Sequence, residues 1–204
     1  MIYIFGGGTV NYVRNHFALS APAYGTTARK LSAMLDQLEM PNRLMLTKMA
    51  DYRSPMETNA DVELALNAVL NDPLATTIIF NVALCDFYAN INSLPAGKYA
   101  QRLQTRSGTQ VIELEPARKL ITKIKSVRPD IFLVGFKTTA DEPETVLIDK
   151  MHRQAAETGA DVVFGNDTFT RNNVLMYNNN VVVASTDRDW VLSVLVHIAV
   201  STAH

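Results

Sequence analysis

The sequence predicts an α/β fold: a Rossmann-like, mainly parallel sheet with helices on both faces, in a single domain over residues 1–204. Three observations carry this. Strand-length apolar runs alternate with segments whose apolar residues recur every three or four positions, the rhythm of βαβ units. The runs are apolar at nearly every position, as strands covered on both faces require, and 76–84 is the clearest of them. Glycines and polar residues gather just after the runs, where parallel sheets bind ligands beyond their carboxyl ends. Those positions are Gly6 to Thr9, Asp86 to Tyr88, Phe136-Lys137 and Asn166-Asp167.

The elements follow in order. Ile2-Tyr3-Ile4-Phe5 is a strand running into Gly6-Gly7-Gly8-Thr9. Such a run admits positive φ values and leaves backbone N–H groups bare for an anion, or it makes a tight turn with no ligand. A loop with Arg14 and Ser20 leads to a helix from about Pro22, with Ser20 as cap and a stripe of Leu31, Met34, Leu35 and Leu38. Residues 43–48 are a strand, and 50–55 a loop. Thr58 or Asn59 caps a helix striped by Val62, Leu66, Val69 and Leu70, and the strand 76–84 follows. Residues 85–90 read as a loop. A polar hairpin flap at about 96–115 comes next, pairing 99–105 with 110–114 across Ser107-Gly108. Pro116 opens a helix through Ile124, and 130–136 is a strand. Pro143 opens a helix closed by Gly159, and 161–165 is another strand. Residues 174–177 and 181–184 make a C-terminal hairpin across Asn178-Asn179-Asn180, and Asp187 caps the last helix.

Composition narrows the function. Of 204 residues 48% are apolar, enough for a packed core, and the net charge of −1 argues against nucleic-acid binding through bulk charge. One cysteine, Cys85, excludes an internal disulfide framework and suits a reducing compartment. No run is long enough for a membrane span, and the start lacks a signal-peptide pattern. The expectation is a cytoplasmic protein with no membrane or nucleic-acid partner. The histidines His16, His152, His197 and His204 show no metal-binding spacing, so no protein-held metal is expected. Neither G-x-G-x-x-G nor an acidic residue closing the second strand at Leu46-Thr47-Lys48 is present, which counts against a dinucleotide reductase. Cys85 fits a small buried hydrophobe better than a nucleophile.

Taken together, the loops resemble those of the phosphopantothenate–cysteine ligase family. Gly7-Gly8-Thr9, Val13-Arg14, Ser20, Gly25 and Thr27 are similar to its glycine motif and serine-glycine loop. Cys85-Asp86-Phe87-Tyr88 resembles the motif after its third strand. Arg102-Leu103-Gln104-Thr105 with Ser107-Gly108 is similar to its lysine-bearing flap. Val134-Gly135-Phe136-Lys137 resembles the strand whose Phe packs on the base, and residues 162–167 its Val-Val-Ala-Asn-Asp strand. The set spans nearly the whole chain in order.

The resemblance implies activation of a phosphorylated acid by CTP or ATP with Mg²⁺, pyrophosphate release and amide formation with cysteine in coenzyme A synthesis. It implies a homodimer through the flap, and no flavin half is present. It assigns Asp86, Phe136, Lys150, Asn81 and Asn166 to the nucleotide. Gly6, Gly7, Gly8, Thr9, Arg14 and Ser20 go to phosphate and substrate, and Arg102, Lys98 and His16 to catalysis. Each residue keeps a plainer alternative: Phe136 as core, Asn166 as a strand-end cap, Lys150 and Arg102 as surface charges, Asp86 as a turn residue. Three positions depart from the family. Ala18 stands where it has an acyl-holding Asn, with Asn15 and His16 nearby. Arg102 stands where it has the flap Lys, with Lys98 the nearest lysine. Ser20-Ala21-Pro22 replaces its Ser-Ser-Gly. The alternative reading is therefore a nucleotide-binding module that has lost the reaction.

Overall fold

The computed structural model describes residues 1–91 and 94–202; Asn92, Ser93, Ala203 and His204 lie outside the described residues. In chain order the elements are β1 (Ile2–Gly8), β2 (Val10–Arg14), β3 (Phe17–Ser20), α1 (Thr26–Gln37), β4 (Asn42–Leu46), α2 (Asn59–Leu70), β5 (Thr77–Ala83), β6 (Phe87–Ile91), β7 (Ile112–Pro116), α3 (Ile121–Val127), β8 (Phe132–Thr139), α4 (Glu144–Thr158), β9 (Val162–Asp167), β10 (Asn173–Tyr177), β11 (Asn180–Ser185) and α5 (Arg188–Ser201).

The main sheet has seven strands in the order β11-β10-β9-β8-β5-β1-β4. The five from β4 to β9 run parallel, and β10 and β11 append an antiparallel hairpin. Among the parallel strands alone, the spatial order is second, first, third, fourth, fifth. Strand order therefore reverses between β1 and β5, and a crevice opens there.

Alternation along β1 shows how the sheet is covered. Ile2 and Ile4 face α1 and α5 with Leu31, Leu35, Leu192 and Leu195, while Tyr3 and Phe5 face α2 and α3 with Val62, Leu66 and Ile124. On the second face α4 adds Leu147 and Met151 against Val163 and Val174. Each fully buried Leu or Ile contributes roughly 1.5–3 kcal/mol, so these two layers hold the body together.

Helix ends obey local chemistry where the sequence supplies it. Thr58 and Asp61 form a reciprocal capping box on α2. Asp187 accepts from the N–H groups of Asp189 and Trp190. Gly159 closes α4 in the left-handed conformation at φ 69°. Two buried polar knots tie loops to strands. Thr9 Oγ1 donates to Asn59 Oδ1 at 2.6 Å, and the Cys85 N–H donates to both. Asp167 accepts from the hydroxyls of Thr139 and Thr170 and from the backbone N–H groups of Asp141, Glu142, Phe169 and Thr170. Those donors hold its carboxyl far below the usual range.

Four sequence expectations need correction. Gly6, Gly7 and Gly8 do not form a turn: they continue β1 and pair with Asn81, Val82 and Ala83. The segment with Arg14 and Ser20 is an antiparallel hairpin, β2–β3, too short and too mixed to show a period. Helix α1 begins at Thr26 behind Gly25 at φ 73°, not at Pro22, and no side chain caps it. The flap pairs β6 with β7, residues 87–91 with 112–116, so most of the expected loop at 85–90 is strand, residues 99–105 are not a strand, and Pro116 ends β7 instead of opening a helix. Tyr88 opposes Glu115 and Ile91 opposes Ile112.

Candidate functional site

A cleft of about 870 Å³ opens at the carboxyl ends of β1, β5, β8 and β9, over the point where strand order reverses. One wall is the loop into α1 with the start of α5. The other is the entry to α3 and the second half of α4, from Lys150 to Thr158.

The structure brings six of the expected residues to this cleft: Gly7, Asn81, Asp86, Phe136, Lys150 and Asn166 all line it. Gly7 sits at φ 96°, and a Cβ there would overlap the Thr47 hydroxyl, so both its conformation and its neighbours require glycine. Phe136 packs against Phe164 with ring centroids 5.4 Å apart and planes inclined by 32°, and it lines the cleft. Asn166 accepts from the Thr138 hydroxyl at 3.1 Å. Lys150 donates to both oxygens of Glu142 at 2.6 Å.

The remaining expected residues stand elsewhere. Gly6 and Gly8 are packed against α1 and Ala21, where any side chain would collide. Thr9 is wholly buried in the knot with Asn59 and Cys85. Arg14 is buried too, and donates to the carbonyls of Val13, Ile91 and Pro95. That guanidinium fastens β2 to the chain after β6. Ser20 and His16 are exposed on the β2–β3 hairpin. Arg102 is exposed on the long connection of the flap. Lys98 lies on the same connection and donates to Glu57 at 2.6 Å, over the Tyr12 ring. The Lys98 hydrogen bond lowers the Glu57 pKa, and the Tyr12 hydroxyl also donates to that carboxylate. None of these lines the cleft.

Charge in the cleft is one-sided. Six cations line it, Arg118, Lys119, Lys137, Lys150, Arg153 and Arg188, against two carboxylates, Asp86 and Glu157. A chain of net charge −1 has concentrated positive charge at one crevice, which favours a ligand carrying several negative charges. Among the described residues no three His, Cys, Asp or Glu stand together as a metal cage.

Sequence reasoning missed Arg188. It opens α5, lies against the Phe164 ring at 4.9 Å, and donates to Asn173 at 2.8 Å and to Thr27 at 3.1 Å. Burial lowers its pKa, opposed by the nearby Asp189 charge. No local signal marks an arginine after a helix cap, and its neighbours come from residues up to 161 positions away.

Fold and cleft define a class: a doubly wound α/β protein with an anion-receptive crevice at its switch point. Comparisons with known proteins find likenesses on the same side as the resemblance read from the motifs. No family model matches the chain. The coenzyme A biosynthesis bifunctional protein CoaBC of Thermococcus kodakarensis is 30% identical over 111 residues, 54% of this chain and 26% of that protein. The match thus spans about a quarter of the curated relative's length. Among solved structures, the DNA/pantothenate metabolism flavoprotein from Streptococcus pneumoniae superposes over 100% of this chain and 99% of its own, with a TM-score of 0.84 at 18% identity. The C-terminal domain of a CoaBC protein does so over 98% and 94%, with TM-score 0.71 at 15% identity. A Cab2 variant in complex with phosphopantothenate-cysteine covers 99% of this chain and 85% of its own, with TM-score 0.72 at 13% identity. The chain therefore shares its fold with these proteins over its whole length and its sequence with CoaBC over about half.

Proposed function

We propose that this chain is a phosphopantothenate–cysteine ligase-like protein, which binds CTP or ATP and activates a carboxylate for amide formation in coenzyme A synthesis. The observation that carries this is convergence: Gly7, Asn81, Asp86, Phe136, Lys150 and Asn166, from five separate segments, meet at one cationic cleft. Phe136 offers a face for a base, and Asp86 accepts from a ribose or an exocyclic amine. In this reading Lys150 turns from its pair with Glu142 to offset charge growing on the departing pyrophosphate. In the reaction the acid's carboxylate attacks the α-phosphorus and pyrophosphate leaves. The amine of cysteine then displaces the nucleotide from the acyl carbon and loses its proton.

The residues present fit Mg²⁺ as a companion of the triphosphate: phosphate oxygens with one or two carboxylates are its usual ligands, and Asp86 lines the cleft. Bound there, it would polarise the phosphoryl oxygens. A homodimer through the flap belongs to the same proposal. Val111, Leu114, Leu94 and Tyr99 are 70%, 52%, 57% and 91% exposed, an apolar surface left uncovered in the single chain.

A second reading keeps the pocket and drops the reaction. Ala18 is exposed on β3 with no polar side chain, and Arg102 stands outside the cleft. One experiment separates the two. Melting points with CTP, ATP, NADPH and phosphopantothenate, each with Mg²⁺, report what the native state binds. Pyrophosphate release with phosphopantothenate, with and without cysteine, reports turnover. The ligase reading expects both signals; nucleotide binding without release supports the module; a shift with NADPH alone overturns both. Ala18→Asn is the sharper probe, and gain of ligase activity in it would favour a pocket intact but for that side chain.

A further inference from the structure

The cleft cations differ in how their charge is met. Lys150 pairs with Glu142, Lys119 with Glu157 and Arg118 with Glu63. Those three sit on the α3–α4 wall and carry their own counter-ions. On the opposite wall, Arg188 has no carboxylate within ion-pair distance among the described residues. Its guanidinium is nonetheless fixed from three sides, by Asn173 at 2.8 Å, Thr27 at 3.1 Å and the Phe164 ring at 4.9 Å.

Two of its five N–H donors are used in those bonds, and three remain. Both partners are neutral, so they orient the group without cancelling its charge. A half-buried, immobilised cation with spare donors in a ligand cleft is preorganised for an anion, because the cost of ordering it is met before binding. Guanidinium geometry suits the paired oxygens of a phosphate better than an ammonium does.

Position decides which phosphate. Thr27 lies in the first turn of α1, just past Gly25, and this loop and Gly7 line the same wall. The Phe164 ring beneath Arg188 is itself stacked on Phe136. The guanidinium thus lies one ring removed from Phe136, the ring proposed to take a base.

We infer that Arg188 is a polyphosphate-binding residue, holding the pyrophosphate portion of the nucleotide against the wall formed by α1 and α5. This assignment rests on the nucleotide-binding reading of the cleft, but not on the ligase reaction.

The test uses the full chain and three variants, Arg188→Lys, Arg188→Gln and Arg188→Met. Titration calorimetry with inorganic pyrophosphate, tripolyphosphate, CTP and phosphopantothenate, each with Mg²⁺, separates the possible sources of phosphate. Arg188→Gln removes the charge and is too short to keep the bonds from the terminal nitrogens to Asn173 and Thr27, so the ligand-free melting point of each variant controls for a scaffold effect. The expected result is a loss of tenfold or more in tripolyphosphate and CTP affinity in Arg188→Gln and Arg188→Met, a smaller loss in Arg188→Lys, and phosphopantothenate affinity changed less than threefold. Unchanged tripolyphosphate affinity in Arg188→Gln overturns the inference, as does a wild-type chain that binds no polyphosphate. A loss confined to phosphopantothenate overturns it in favour of a substrate-phosphate site. Arg188-dependent tripolyphosphate binding in a chain that releases no pyrophosphate from CTP leaves the inference standing and removes the ligase reading.

Discussion

The body and the arm of this molecule are built by opposite rules. In the body, seven strands lie between two helical layers, and side chains such as Ile4, Leu31, Leu66 and Ile79 are wholly shut from water. In the arm, two short hairpins, β2–β3 and β6–β7, share a small cluster around Val13, Ala89 and Ile91, and every residue of β7 is exposed. Polar ties do in the arm what packing does in the body: buried Arg14 reaches three carbonyls, and Glu57 collects Tyr12 and Lys98. A two-stranded unit is marginal alone. The body is held by its large buried core, whereas the arm is held by specific bonds and presents apolar side chains outward.

That contrast can be broken most severely in the body. Leu66→Ala, on the face of α2 that packs against the sheet, should cost about 2–5 kcal/mol, and urea unfolding should show one transition moved to lower midpoint. Next comes Asp167→Asn, which removes acceptors from the knot joining the β8 and β9 ends. The Asp167 pKa is depressed in the folded state, so its stabilisation is complete above the unfolded value of about 3.9 and disappears as pH falls through the folded one. Melting curves from pH 6 to pH 2 should show the wild type losing stability steeply at the acid end. The variant should start lower and fall less.

Smaller effects belong to the arm. Glu57→Gln removes the charge partner of Lys98, and should leave the global midpoint within about 2 °C while amide exchange in residues 95–100 speeds up several-fold. Its own charge obeys the same sign: the Glu57 pKa is lowered, so the tie holds at neutral pH and loosens in acid. Smallest of all on stability is Leu114→Ser, at 52% exposure expected within about 0.5 kcal/mol of wild type. Light scattering on that variant tests the proposed flap dimer. A wild-type dimer that becomes monomeric in Leu114→Ser sharpens the contrast; a monomeric wild type removes the proposed role of the exposed face.

The same division explains what could be read in advance. The central body strands open on apolar runs such as Ile2 to Phe5 and Ile78 to Phe80, and helices α2, α4 and α5 carry their stop and start signals at Thr58, Gly159 and Asp187, so local chemistry and final structure agree. Cleft residues at strand ends were legible for the same reason, since the end of a parallel strand is where Asn81, Phe136 and Asn166 must emerge. The arm was opaque. Val10-Asn11-Tyr12-Val13-Arg14 shows no consistent period, and its strand character arises from pairing across a tight turn. Gly6 and Gly8 resembled an anion-binding turn but answer the close approach of α1 and Ala21, a tertiary cause with no local signature. Arg188 depends on Thr27, Phe164 and Asn173 converging from three elements.

The knot of Thr9, Asn59 and Cys85 has a mechanical corollary. The chain passes between body and arm at four places, near residues 9, 21, 86 and 117, and all four are pinned together: the Thr9 N–H to Ala83, the Ala21 N–H to Thr9, the Ala117 N–H to Asp86, and Cys85 to the knot itself. The base of the arm is therefore moored by one compact set of bonds, with Glu57 adding a second tie through Val10, Tyr12 and Lys98. Ala21, Cys85, Asp86 and Ala117 in that mooring also line the cleft, so any load on the base of the arm is carried by the same residues that shape the mouth.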